Sequence, residues 1–480
     1  MLTRKNSTTF LLFLLCLLSG KLNFLFAQEV WSLEKCIERG IEKNLGLKGT
    51  ELGLQNRMVS LREARLQQLP TLNASVNYGL SIGRNIDPTT NAFVTQNILF
   101  GNYGISAGLP VYQGGFVQNN IKYNRALTEA SARDYEQAVN DLSLNIAGLY
   151  LSVLLADERV EISRKNLETV TAQRKNMERL VEIGSRAAAD ALEINAQEAR
   201  AEQTLISAQN NAEQARLQLR QQLRLESAAV LVLQRPDDAS FRNIENESYT
   251  AEQLYQIALG NQPGIQSAER NVMAADIQKN MARAAYFPRI SAFGNINSRY
   301  SDAAKTPTAF SDRLDSISGN FNGVPVTFEF VNKVPADYKT ISFKEQFKQF
   351  IGYNFGLGAS VPIFNAFNAR TSVQRAQIGK SQAELALETR KENLRLQVSQ
   401  AVANVKAAIK EFDAAKKSYD VTRLVSENTQ KKFEIGSANS FELTTSQNNY
   451  AAAQNSLVIA KYDLLFKQKI LDLYAGKKIR

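Results

Sequence analysis

The sequence predicts a mainly α protein with β-strands: long coiled-coil helical hairpins joined to a transmembrane β-barrel, four strands per chain, in two internal repeats. Three observations carry this. "GLPVYQGGF" (Gly108 to Phe116) and "EIGSRAAADAL" (Glu182 to Leu192) return as "SVPIFNAFN" and "EIGSANSFELT", each 252 residues later. No proline falls between Pro110 and Pro236 or after Pro362. "TLNASVNYGLSIG" (Thr71 to Gly83) alternates apolar with small polar residues and carries no charge, the period-two pattern of a strand with one dry face.

The chain opens with Arg4 and Lys5, the apolar run "FLLFLLCLL" from Phe10 to Leu18, and "KLNFLFA" ending at Ala27. That order predicts a signal peptide over 1–27; Lys21 interrupts the run well before the roughly 20 apolar residues a spanning helix needs. Beyond it stands a single cysteine, Cys36, so no disulfide forms within the chain, and its place in "WSLEKCIERGIEKN" makes it a small buried hydrophobe. The formal charge of +10 falls to about +7 without Arg4, Lys5 and Lys21, too mild and dispersed to mark nucleic-acid binding.

The first repeat covers 28–235 and the second 250–476, joined by a connection at 236–249. In the first, a helical region from Ser32 to Gln68 ends before Pro70, followed by strands over Leu72 to Gly83 and Tyr103 to Tyr112. From Phe116 to Ile183 the apolar positions Tyr135, Val139, Leu142, Ile146, Leu149 and Val153 step by fours and threes, a coiled-coil seam. A rod of this length extends about 100 Å at 1.5 Å per residue. Gly184 ends it and an Ala-rich helix returns. The second repeat keeps the seam at Leu394, Val398, Val405, Phe412, Tyr419 and Phe433, with strands over Ile290 to Tyr300 and Ile351 to Phe364. Phe293 breaks the alternation of its strand. "QLPTLNASVN" and "YFPRISAFGN" are 218 residues apart against 252 downstream, so the second repeat holds 34 more residues between its strands, in a longer loop at 298–350. Alternation in "VPVTFEF" predicts an extra strand there.

Strands of about 11 residues match a bilayer crossing, but four cannot close a barrel, and an open edge in lipid leaves backbone groups unsatisfied; the chain must oligomerise. Tyr78 and Tyr300 at one level and Tyr112 and Phe364 at the other suit interfacial aromatic girdles. The hydrophilic face offers Asn, Ser and Gly, fit for a water-filled lumen.

These residues resemble the TolC-type outer-membrane efflux protein family: "SLEKCIERGIEKNLGLK" and "TAEQLYQIALGNQPGIQSAE" opening the halves, "LPTLNAS" and "FPRISAF" entering the first strands, "GLPVYQGG" and "SVPIF" leaving the second, and the turns "RLVEIGSRAAADAL" and "KKFEIGSANSFEL". The resemblance covers nearly the whole chain after the signal. It implies a homotrimer with a barrel in the outer membrane, continuous with a periplasmic α-barrel tunnel that docks onto a periplasmic adaptor and an inner-membrane pump. It also implies that Gly184, Ser185, Gly436 and Ser437 mark adaptor-docking turns. Nearby Glu182, Asp190, Glu434 and Glu442 are candidates for a cation-attracting ring at the periplasmic mouth, with Arg179 and Lys431 as latch partners. The competing account of these charges is solvated helix ends, since carboxylates are favourable in a first turn.

Catalysis has little to work with. The chain has no histidine, which removes His-dependent triads and most zinc and copper sites. "GISAG" fits G-x-S-x-G, but Ser106 sits on an alternating strand rather than a strand-to-helix elbow. No enzyme, cofactor or metal is expected. An exported coiled-coil or adhesin and a stand-alone porin are the competing functions.

Overall fold

A computed structural model of the chain describes residues 30–89, 91–226, 231–236, 249–477 and 479. The expected signal peptide 1–27 and, apart from its two end residues, the connection 236–249 lie outside the described residues. In chain order the elements are β1 (Val30–Trp31), α1 (Leu33–Lys43), α2 (Leu45–Leu66), β2 (Thr71–Ser81), β3 (Arg84–Ile86), β4 (Phe93–Thr95), β5 (Ile98–Gln113), α3 (Phe116–Glu182), α4 (Ala188–Leu223) and β6 (Val232–Leu233). There follow α5 (Ala251–Asn261), α6 (Pro263–Arg283), β7 (Arg289–Ser301), β8 (Lys305–Phe321), β9 (Val324–Thr340), α7 (Phe343–Gln349), β10 (Gly352–Ser360), α8 (Asn368–Glu434) and α9 (Ser440–Tyr474).

The duplication is built into the elements. α3 and α8 are both 67 residues long, and their ends fall at equivalent positions. The helical region expected from Ser32 to Gln68 is broken at Asn44, whose backbone is extended (φ −67°, ψ 126°) and whose Oδ1 accepts from Leu47 N at 2.9 Å, capping α2. Gln262 breaks the second repeat at the matching place (φ −76°, ψ 118°), with Pro263 opening α6, where its missing N–H costs nothing. The turns from strand to long helix match too. Gly114 and Gly115 take φ of 61° and 78°, and Ala366 and Phe367 hold the same left-handed conformation at 50° and 60°.

The chain divides into two compact units, each drawing on both repeats. The first comprises the described part of Met1–Gln55 with Glu129–Glu269 and Leu385–Arg480. Its largest core packs Cys36 and Ile37 of α1 against Leu142, Ile146, Tyr150 and Val153 of α3 and Leu219 and Leu223 of α4. Gly40 allows that approach: a Cβ there would overlap Ile146 Cδ1. The second repeat reproduces the packing, with Leu254, Tyr255 and Ala258 of α5 on Leu394, Val398 and Val405 of α8. α3 also contains a stretch apolar enough to cross a membrane by length and composition, but Ile146 and Val153 of this helix are fully buried in the core just described. Cys36 is fully buried as expected, and burial pushes its thiol up to about 12.

The second unit, Asn56–Thr128 with Arg270–Glu384, holds a four-stranded antiparallel sheet in the order β10-β7-β5-β2. Both outer strands, β10 and β2, have an unpaired edge among the described residues. Register sorts the faces. Leu72, Ala107, Gly294 and Phe355 form one row, and Ala74, Ile105, Ile296 and Tyr353 the next on the same face, with Leu72 and Phe355 exposed. The opposite face carries Asn73, Ser106, Asn295 and Asn354 in one row and Ser75, Gly104, Asn297 and Gly352 in another. Phe293 falls on this polar face, where its ring lies over Gly356: a Cβ on that glycine would be 3.0 Å from the ring. Tyr78 and Tyr300 flank Gly101, the shared level expected of them. Tyr112 pairs with Ile290, whereas Phe364 lies beyond the end of β10 and outside the register.

Two strand boundaries differ from expectation by several residues. β5 begins at Ile98 rather than Tyr103, because residues 98–102 continue the ladder with Asn77–Ser81 and residues 100–102 the ladder with Arg299–Ser301. β10 stops at Ser360 rather than Phe364, just before Val361 and Pro362, which has no N–H for a ladder. The longer loop is ordered: β8 and β9, 17 residues each, pair as a hairpin, confirming a strand at "VPVTFEF". The short helix α7 was not foreseen. It opens with a capping box in which Ser342 Oγ accepts from Glu345 N at 3.3 Å while the Glu345 carboxylate reaches back to Ser342 N at 3.2 Å.

Candidate functional site

The turns at the ends of α3 and α8 are the same motif. Gly184 has φ 70°, with Gly184 N donating to Val181 O and Ser185 N to Leu180 O, both at 2.9 Å. Gly436 has φ 76°, with Gly436 N donating to Phe433 O at 3.0 Å and Ser437 N to Lys432 O at 2.8 Å. This pair of bonds is a Schellman cap, in which a left-handed residue lets the chain satisfy the last carbonyls and reverse; glycine does so without a Cβ penalty. A Cβ at either glycine would meet nothing within 4 Å, so these positions are open on the chain's own surface. The returning helices start differently. Asn439 caps α9 by accepting from Glu442 N at 2.8 Å, while Ala187 at the start of α4 has no side chain to do so.

Six charged residues were expected at the mouth. Arg179, Glu182, Lys431, Glu434 and Glu442 are exposed and Asp190 is half-buried. Asp190 and Glu442 sit in the first turns of α4 and α9, as expected. Glu434 accepts from Gln430 Nε2 at 2.9 Å and Glu442 from Asn439 Nδ2 at 3.2 Å. Among the described residues, neither Arg179 nor Lys431 forms an ion pair with these carboxylates within the chain.

What joins the two turns is a set of contacts not singled out from the sequence. Met177 and Ile194 of the first repeat share a buried cluster with Phe433, Ala438 and Leu443 of the second. The Arg186 guanidinium stands 4.9 Å over the Phe433 ring. Behind the first turn, Arg174 bridges Glu178 at 2.6 Å and Glu198 at 2.7 Å, tying α3 to α4. The Thr171 hydroxyl, with Arg174 beside it, holds the Glu198 carboxyl below the usual carboxylate range. Further along, Gln173 and Gln447 both donate to Gln430 Oε1, at 3.1 and 3.4 Å, beside a cavity of about 620 Å³. Only the pairing of repeats, which no local motif encodes, would have brought Arg186 to Phe433.

A sheet with a charge-free apolar face, a face carrying mostly small amides, hydroxyls and glycine, and two open edges, in one chain with long coiled-coil helices, defines a channel-type fold of sheet and helical rods. The chain belongs to the outer membrane efflux protein family, whose model matches residues 37–223 and 254–477. It is similar to the pyoverdine export outer membrane protein OpmQ of Pseudomonas aeruginosa, 29% identical over 206 residues, 42% of each chain. Its likeness to the outer membrane protein OprJ of the same organism is 27% identity over 278 residues, 55% of this chain and 54% of that one. The chain thus spans about half the length, or less, of these curated relatives. The solved CusC channel superposes with a TM-score of 0.75 at 17% identity, covering 93% of this chain and 92% of that one. The TolC-type resemblance holds, and membership of this family places the protein in the outer membrane.

Proposed function

We propose that this protein is the exit duct of a tripartite efflux or type I secretion system, a passive channel that carries cargo from an inner-membrane pump across the periplasm and outer membrane. One observation carries the reading: a sheet sorted into an apolar and a polar face, with both edges unpaired among the described residues, in a chain of the efflux family. Three copies would supply 12 strands by the count of four per chain, and the polar rows would line the passage. A duct of this kind performs no chemistry on its cargo, and the pump sets which cargo enters.

The turns at Gly184, Ser185, Gly436 and Ser437 are the docking surface for the periplasmic adaptor. Their exposure and the open space over each glycine support this role. Arg179 and Lys431 would find Glu182, Asp190, Glu434 or Glu442 on neighbouring copies, closing the mouth by ion pairs that exchange when it opens. Asparagine tolerates the left-handed backbone, so Gly184→Asn with Gly436→Asn adds bulk without abolishing the turn. Export by cells carrying the double variant should be lost while the amount of oligomer in the outer membrane is unchanged. Normal export would remove the docking assignment, and a wild-type protein that never forms an oligomer in membranes would remove the duct itself.

A further inference from the structure

Helix α7 lies on the apolar face of the sheet. Tyr103 points to that face, and its ring meets the rings of Phe343 and Phe347 edge-on, each at 5.7 Å between centroids; Tyr300 meets Phe343 at 5.5 Å. Polar groups fix the docking as well. Gln346 is fully buried, its Nε2 donating to Ser301 O and Ile341 O at 2.8 Å and its Oε1 accepting from Ser301 N at 2.9 Å. Ser298, the one serine among the apolar rows of β7, donates to Phe347 O at 2.9 Å. A residue that looks misplaced on a lipid face is thus the bolt that holds a helix there.

The outward side of α7 remains apolar next to basic. Phe343 and Phe347 are 50% and 37% exposed despite their ring contacts, and Ile351 beyond the helix is 37% exposed. Lys344 and Lys348 follow the two phenylalanines one residue on, both are exposed, and neither has an ion pair among the described residues. Glu345 is the one carboxylate of α7, and it is engaged by the Ser342 cap. The helix stands at the end of β7 that leads into the β8–β9 hairpin, the end remote from α6, at the level of Tyr78 and Tyr300. It covers β5 and β7, the two inner strands, so a neighbouring copy pairing at β2 or β10 leaves its outer side unclaimed.

We propose that α7 is a headgroup anchor: Phe343 and Phe347 extend the hydrocarbon-facing surface of the barrel, while Lys344 and Lys348 bind the phosphates of anionic lipids in the outer leaflet. The occupant follows from continuity with the lipid-facing sheet and from charge. Aromatic rings belong at the membrane–water boundary, and a lysine one residue away reaches outward to the headgroup layer while its stem stays in contact with apolar surface. A groove of about 470 Å³ beside the helix, lined by Thr306, Ile341, Glu345, Lys348 and Gln349, gives a headgroup room on one side. The inference rests on the reading that this sheet face meets lipid.

The test uses the full-length protein reconstituted in vesicles of phosphatidylcholine mixed equally with phosphatidylglycerol, then extracted in mild detergent so that the lipids retained per chain are counted. Wild type should retain phosphatidylglycerol preferentially. Each lysine near an anionic surface contributes about fivefold, so Lys344→Gln with Lys348→Gln should lower the preference by roughly 20- to 30-fold. Because both lysines are exposed, the variant keeps the buried Gln346 contacts, which an unchanged protease-cleavage pattern around residues 341–351 verifies. Equal preference in wild type and variant, or none in wild type, overturns the anchor. Flotation of wild type with pure phosphatidylcholine vesicles reports lipid contact by the sheet separately: protein that floats without headgroup preference loses only the anchor, and protein that does not float loses the membrane reading beneath it.

Discussion

The strand-to-helix turns give a sharp test of why glycine stands where it does. Gly114 and Gly115 are neighbours with left-handed backbones, φ 61° and 78°, yet their surroundings differ. A Cβ on Gly114 would sit 2.7 Å from Ala284 O and 2.8 Å from Phe287 Cβ, whereas one on Gly115 would meet only Asn119 Nδ2, at 3.6 Å. Alanine at either site costs about 1–2 kcal/mol of backbone strain, partly offset by about 0.4–1 kcal/mol from a stiffer unfolded chain. Gly114→Ala adds overpacking against backbone that cannot swing aside, about 1–3 kcal/mol more. The second repeat shows the backbone alone is tolerable, since Ala366 and Phe367 adopt it with side chains in place. Gly115→Ala should therefore destabilise the sheet-bearing unit by about 1 kcal/mol and Gly114→Ala by about 2–4 kcal/mol. Loss of the amide I strand band on heating the purified protein in detergent reads both. Equal losses, or a larger loss for Gly115→Ala, would refute the argument that close approach to Ala284 demands glycine.

Gln346→Leu removes all three amide hydrogen bonds, those with Ser301 N, Ser301 O and Ile341 O, so α7 should undock at a cost of about 2–4 kcal/mol, seen as new protease cleavage within residues 341–351 while the sheet stays intact. Asn439→Ala should weaken the start of α9 by about 1 kcal/mol and Ala187→Asn should strengthen α4 by a similar amount, measured by hydrogen exchange in each first turn. Glu198 has a folded pKa depressed below the unfolded value of about 4.3, so its stabilisation is present above that value and disappears as pH falls through the lower folded one. Thr171→Ala removes the largest cause, so unfolding on acid titration should begin at a higher pH than in wild type. Cys36, buried and with its thiol raised to about 12, should resist maleimide at neutral pH and react promptly once the chain is denatured.

The sequence made most of the architecture legible because duplication supplies its own control: a seam or turn seen twice at one spacing is not chance. The bounds of α3 and the left-handed glycines at 184 and 436 followed directly. Strand ends were less legible. Where β5 begins is decided by the partner residues Asn77–Ser81 across the ladder, which no window of 98–102 contains. The break at Asn44 was written as an Asn that caps the next helix, a signal masked by the apolar periodicity on both sides. α7 escaped because seven residues with two lysines carry too little periodicity, and its stability comes from Gln346 and from rings on β5 and β7. At the turns the sequence located the residues but not their company: Arg186 meets Phe433 only after helices from the two repeats are laid side by side.

The equal 67-residue lengths of α3 and α8 also set a rule for how such a protein can change over evolutionary time. Adding seven residues moves a helix end by about 10 Å and returns the apolar stripe to its original bearing, so tolerated lengthening comes in heptads and in both rods together. A change in one rod alone would leave one turn stranded below the other, and natural variants should carry none.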